Sequence, residues 1–250
     1  MEALLPRDQR LFKHSSFSRL TDYEACPRKA KLKYSDKIPE PPQKDSPLER
    51  GTRIHEQIEQ YIRGELDQLP ADSEGAEPYA SIFRQDYQTD PATLLQEQMW
   101  LFDQHWTPVD SFDDTIWIAK LDVCKFIEDG LEAQIVDWKS GKKQGNEVKH
   151  ADQIKTYVIS AFARFENLTH VSCLLRYTDV KEESIIEMTR GQAMPFVPRL
   201  EARIAKMLND TLCYPNPSVN HCRYCPFKTG TLGKRKGAAE GTGHCDLNPE

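Results

Sequence analysis

The chain has 250 residues, 38% of them hydrophobic and 29% charged, with a formal net charge of −6. That is the composition of an ordinary globular protein long enough to bury a core, and no apolar run nears the roughly 20 residues that span a bilayer. The acidic balance argues against nucleic acid only weakly, because phosphate binding depends on where the basic residues sit. Here they cluster, as Arg28, Lys29, Lys31 and Lys33, as Lys142, Lys143, Lys149 and Lys155, and as Lys234, Arg235 and Lys236. The opening MEALLPRDQR lacks the apolar stretch of a signal peptide. A cytoplasmic, reducing setting is therefore expected, with the seven cysteines as thiols or metal ligands rather than disulfides.

The segment SSFSRLTDYEACPRKAKLKY reads as helical, capped by Ser15 or Ser16, with a break near Cys26 and a restart at Pro27. Ser46 and Glu49 form a capping box with Pro47 at the first helical position. The helix they open carries Leu48, His55, Ile58 and Ile62 on one stripe, so His55 faces inward. Residues 64–80 read as a polar loop and residues 82–87 as a helix, while 94–102 fits a strand or a short helix equally well.

The stretch TIWIAKLDVCKFIEDGLEAQIVDWKSGKK holds two β-rich runs around Asp129-Gly130, a two-residue hairpin signal. With that turn, Glu128 falls opposite Leu131 and Asp122 opposite Asp137. Paired residues share a face, and Lys139, two beyond Asp137, shares it too. A one-residue slip would scatter the three groups, so their convergence depends on the turn. HADQIKTYVISAFARFE then reads as a helix with Gln153 and Tyr157 side by side at i and i+4. Strands are expected over 171–177 and 184–188, a last helix over 196–209, and a loop-rich tail bearing Cys213, Cys222, Cys225 and Cys245. This order predicts a single α/β domain over residues 1–250, with a central mixed sheet flanked by helices. Its metal-dependent core would span about 46–190. The cysteine-bearing ends, 15–34 and 213–250, would bring the tail against the N-terminal helix.

Two carboxylates and a lysine on one face suit phosphodiester hydrolysis. Asp122 and Asp137 would hold Mg²⁺ or Mn²⁺, the Trp138 backbone carbonyl would add a ligand, and Lys139 would stabilise developing charge. The bland readings are a solvated cross-strand ion pair for these three and a satisfied core residue for His55.

Asp122…Asp137-Trp138-Lys139 resembles the PD-(D/E)xK nuclease signature, with Leu121 in place of its proline. The ordered set is similar to RecB-like exonucleases, including the CRISPR-associated ones, of bacteria and bacteriophages. It comprises a serine-rich helix leading to Cys26-Pro27, RGTxxHE at Arg50 to Glu56, the D…DxK core, QxxxY at Gln153 and Tyr157, and CxxC at Cys222 and Cys225. The resemblance implies a restriction-endonuclease-like fold and a metal-dependent exonuclease acting on DNA ends in recombination or repair. It implies His55 as a metal ligand, with Gln153 and Tyr157 placing the DNA backbone near the metal, and Lys142 and Lys143 of the basic loop are expected to bind DNA as well. It also implies a [4Fe–4S] cluster held by Cys26, Cys222, Cys225 and Cys245, although Cys245 lies twenty residues beyond Cys225, with a basic insertion between. Zinc is the alternative for the same cysteines, with His221 and His244 beside them. A catalytically inactive subunit of the same fold that binds DNA or a partner is the alternative function.

Overall fold

The computed structural model describes residues 2–42, 47–141, 143–233 and 239–247, without the side chain of Leu48. Strand β1 (Ser15–Ser16) leads into helices α1 (Phe17–Ala25) and α2 (Pro27–Ala30), followed by α3 (Pro47–Arg63) and α4 (Tyr79–Thr89). Strands β2 (Leu94–Phe102), β3 (Pro108–Val109), β4 (Trp117–Ile127) and β5 (Glu132–Lys139) precede α5 (Glu147–Arg164). Then come β6 (His170–Tyr177), β7 (Glu182–Thr189), α6 (Arg190–Ala193), α7 (Val197–Asn209) and α8 (Val219–Arg223). The ambiguous segment 94–102 is a strand, and the polar loop is partly buried at Ser73, Gly75 and Ala76. The capping box falls on Ser46, outside the described residues. None of the described helices is long and apolar enough to cross a membrane.

The seven strands form one mixed sheet in the order β3-β2-β4-β5-β6-β7, with β1 parallel to the start of β4. This is the α/β architecture expected from the sequence. β4–β5 and β6–β7 are antiparallel, whereas β5–β6 is parallel and so needs the crossover that α5 provides. By its contacts the chain divides into two compact units. One comprises Met1–Lys44, Ser111–Ile118 and Arg199–Glu250, and the other Asp45–Asp110 and Ala119–Pro198.

In the second unit, Ile54, Ile58 and Ile62 of α3 are fully buried with Phe83 of α4, against Val123, Val136, Trp138 and Leu174 of the sheet. The inward stripe is thus set by Ile54 at i, i+4 and i+8, and His55 sits at its edge. Phe83 meets Trp138 edge to face at 6.3 Å between ring centres. In the first unit, Ser16 caps α1 by accepting the Arg19 N–H at 3.4 Å. That cap aligns Phe17, Leu20 and Tyr23 inward. Arg203 of α7 makes paired bonds to Glu24 at 2.7 and 2.9 Å. The tail meets the end of α1, where Asn216 donates its backbone N–H to Cys26 Sγ at 3.4 Å and its side-chain amide to the Ala25 carbonyl at 3.2 Å.

The β4–β5 hairpin has the register read from its sequence. Pairs run from Ile127↔Glu132 to Val123↔Val136, and one further step sets Asp122 opposite Asp137. The turn closes with Leu131 N–H donating to the Glu128 carbonyl at 3.1 Å. Asp129 and Gly130 have φ of 53° and 86°, the left-handed backbone that a tight hairpin demands. A Cβ on Gly130 would meet nothing within 4 Å, so Gly130→Ala isolates the backbone cost. That cost should be about 1 kcal/mol, lowering the melting temperature by roughly 2–4 °C. An unchanged melting curve would contradict a turn of this hand.

Candidate active site

β5 is buried on both faces along most of its length. Alternation sends Val136 and Trp138 into the α3–α4 core and turns Ile135, Asp137 and Lys139 to the other side. There α5 supplies the cover. Tyr157 Oη donates to Asp137 Oδ1 at 2.8 Å, Gln153 Nε2 stands 3.4 Å from the same oxygen, and Gln153 Nε2 donates to Tyr157 Oη at 2.6 Å. Lys139 Nζ lies 2.5 Å from Asp137 Oδ2. The contact pairs ammonium with carboxylate directly.

Asp122 is 8% exposed and Asp137 3%. Asp122 Oδ2 accepts the Trp138 N–H at 2.7 Å, which locks the first carboxylate to the strand bearing the second. His55 Nδ1 stands 3.2 Å from Asp122 Oδ1, and its Nε2 stands 2.9 Å from the Trp138 carbonyl. Both contacts ask a ring nitrogen to donate, and only the imidazolium donates from both. Burial opposes that charge, but the carboxylate of Asp122, helped by Asp137 and Glu97, outweighs it and raises the His55 pKa to about 9. A cation thus already bridges Asp122 and the Trp138 carbonyl, two of the groups expected to hold a metal.

Crowded negative charge marks the rest of the site. Burial, with the charge of Asp122 adding to it against the pull of Lys139, raises the Asp137 pKa. Burial works against the Lys139 ammonium, and Asp137 more than offsets it, so the lysine stays charged. Glu97 of β2 is raised by burial and then by Asp122.

Glu97 was not among the residues singled out from the sequence, yet one ligand atom each of His55, Glu97 and Asp122 lie within 4.8 Å of one another. Its φ of 47° breaks the strand's alternation, and strained non-glycine backbone of this kind collects at functional sites. The available signal was its being the one charged residue in Leu94–Phe102. With strand and helix both open for that segment, no face was assignable. The side chains therefore fit a divalent cation: three acidic groups, an imidazole and a backbone carbonyl.

One expected participant is engaged by another partner. Lys143 Nζ donates to the Glu183 carbonyl at 3.0 Å. Lys142, like Lys234, Arg235 and Lys236, is outside the described residues. Cys26, Cys222, Cys225 and Cys245 line one pocket of the first unit with Arg28, Lys29 and His221. No three of these ligands bring their donor atoms within 4.8 Å of one another among the described residues. Cys124 and Cys173 are buried in their strands, as expected.

A family model described as the PD-(D/E)XK nuclease superfamily matches residues 14–229. The chain belongs to that superfamily. The match takes in the Asp122–Asp137–Lys139 centre and runs from β1 past Cys225. No curated protein matches the chain. A solved structure titled "Crystal structure of SSO0001" aligns with 82% of this chain and 81% of its own at 12% identity and a TM-score of 0.35, too slight a likeness to carry an argument.

The raised imidazole gives a pH dependence of known sign. In metal-free protein the His55–Asp122 pair stabilises the fold fully below pH 6.5, and the effect is lost as pH rises through about 9. Melting in EDTA should show the wild type losing stability over that interval, with His55→Asn much flatter. Equal pH slopes for the two proteins would contradict the assignment.

Proposed function

We propose that this member of the superfamily is a metal-dependent DNA nuclease, acting as an exonuclease at DNA ends. The observation that carries the reading is the burial of Asp122 and Asp137 side by side with Lys139, His55 and Glu97 around them. When bound, Mg²⁺ or Mn²⁺ supplies Lewis-acid polarisation of the phosphate and a water of lowered pKa. Asp122, Asp137, His55, Glu97 and the Trp138 carbonyl are the groups that would hold it. His55 must give up a proton to do so, and a nitrogen donor in a set of oxygens tilts the preference toward Mn²⁺. Lys139 meets negative charge building on the phosphate. Tyr157 and Gln153 hold Asp137 in position, and contacts from them and from the Lys142–Lys143 loop to the DNA backbone belong to the same reading.

The preference for ends, the RecB-like subfamily, and a setting in recombination or repair in a bacterium or bacteriophage rest on the ordered motifs. So does the [4Fe–4S] cluster, which four cysteines on one pocket support. A zinc tetrahedron with Zn–S near 2.3 Å would hold its sulfurs about 3.8 Å apart, closer than these thiols stand as a group. Protein purified without oxygen should contain about four irons per chain and lose them in Cys26→Ser. One zinc per chain, or neither metal, would overturn the cluster.

Labelled linear and circular duplexes incubated with Mn²⁺ or Mg²⁺ test the activity. Linear DNA should shorten from its ends while the circle survives. EDTA, Asp137→Ala or Lys139→Ala should abolish cleavage, by on the order of 10³-fold or more, with the fold retained. A cut circle would overturn the end preference. Intact DNA under all conditions would make the chain a binding subunit of the same fold.

A further inference from the structure

His150, Gln153 and Tyr157 are spaced i, i+3 and i+7, which puts them on one stripe of α5. Gln153 and Tyr157 end on Asp137. One turn nearer the helix N-terminus, His150 Nδ1 lies 2.8 Å from Tyr177 Oη. Tyr177 in turn is the ladder partner of Lys139 in the parallel β5–β6 pair, so their side chains are neighbours on one face. As β5 steps from Asp137 to Lys139, α5 steps back from Tyr157 to His150. The imidazole therefore stands at the level of the lysine.

Tyr177 is 1% exposed, and its ring packs 5.6 Å from that of His150. With Tyr177 Oη as the donor of this bond, His150 Nδ1 accepts its proton. A neutral imidazole so held carries its own proton on Nε2. Burial first, then Lys139 and Lys149, against the opposing pull of Glu147, keep the ring neutral, with a pKa near 4. His150 is only partly covered, and Nε2 has no partner among the described residues. A histidine present simply to satisfy Tyr177 would need none of this exposure beside Lys139.

We propose that His150 is a phosphate-contacting residue of the nuclease site, oriented by Tyr177 to donate Nε2–H to a non-bridging phosphate oxygen of DNA beside Lys139. The inference rests on the nuclease reading above. A neutral donor here adds directionality to the point charge of Lys139 and fixes the phosphate's rotation without adding another cation.

The test uses His150→Ala, His150→Gln and His150→Asn in the full chain. The glutamine amide reaches about where Nε2 stands, and the asparagine amide about where Nδ1 stands. For His150→Ala, kcat on linear duplex should fall on the order of 10²-fold, with KM for DNA changing far less. Glutamine should recover to within about tenfold of wild type and asparagine should not. Equal losses in all three, or losses that follow the melting temperature, would overturn the proposal in favour of a packing role. Imidazole ¹⁵N spectra with Ca²⁺ and a short duplex supply a readout that needs no cleavage. His150 should be the Nε2–H tautomer and shift on DNA binding. Bound DNA that leaves His150 unmoved would overturn the proposal, whereas a shift in protein that cuts nothing would uphold it while the nuclease reading fell.

Discussion

Asp122 and Asp137 are buried opposite each other at the end of one antiparallel pair, and two carboxylates so placed repel unless cations answer them. Lys139 answers from the same strand and His55 from α3, and the Trp138 N–H holds Asp122 Oδ2. Much of the second unit serves that balance. The fully buried isoleucines of α3 and Phe83 of α4 pack on Val136 and Trp138, which anchors the far face of β5 and delivers His55 to the charged end. On the near face α5 closes over Asp137 with a tyrosine and a glutamine.

The same balance describes a site made ready for a metal. A surplus of negative charge raises His55 and Lys139 against their burial, and burial raises Asp137 and Glu97 with that surplus adding to it. A divalent cation would relieve that surplus directly. Until then the imidazolium of His55 occupies the bridge between Asp122 and the Trp138 carbonyl, so cation binding and proton release are one event. Glu97 enters by way of a left-handed residue within β2, a backbone cost retained where a side chain must be redirected.

The first unit is organised on a different principle. Its tail, beyond α7, offers few buried apolar side chains, chiefly Cys213, Phe227 and Leu232. Order there comes from short backbone contacts and from the convergence of Cys26, Cys222, Cys225 and Cys245 on one pocket with Arg28, Lys29 and Lys228.

The sequence by itself determined whatever depends on local pairing. Asp129-Gly130 demanded a left-handed two-residue turn, the turn set the register, and the register brought Asp122, Asp137 and Lys139 together. Helix stripes were legible for the same reason, because a 3.6-residue period follows from the backbone alone. That is how Gln153 and Tyr157 were recognised as neighbours. Tertiary structure decided what comes from elements distant in the chain. Glu97 joins His55 and Asp122 through a distortion of β2 that no periodicity announces. His150 gains its setting from Tyr177, a residue on the far side of the α5 crossover. The ends of the chain were expected to meet, but that Ser111–Ile118 joins them in one compact unit was equally invisible. Sequence patterns report which face a side chain takes, whereas the partner it finds there is fixed only when separate elements pack.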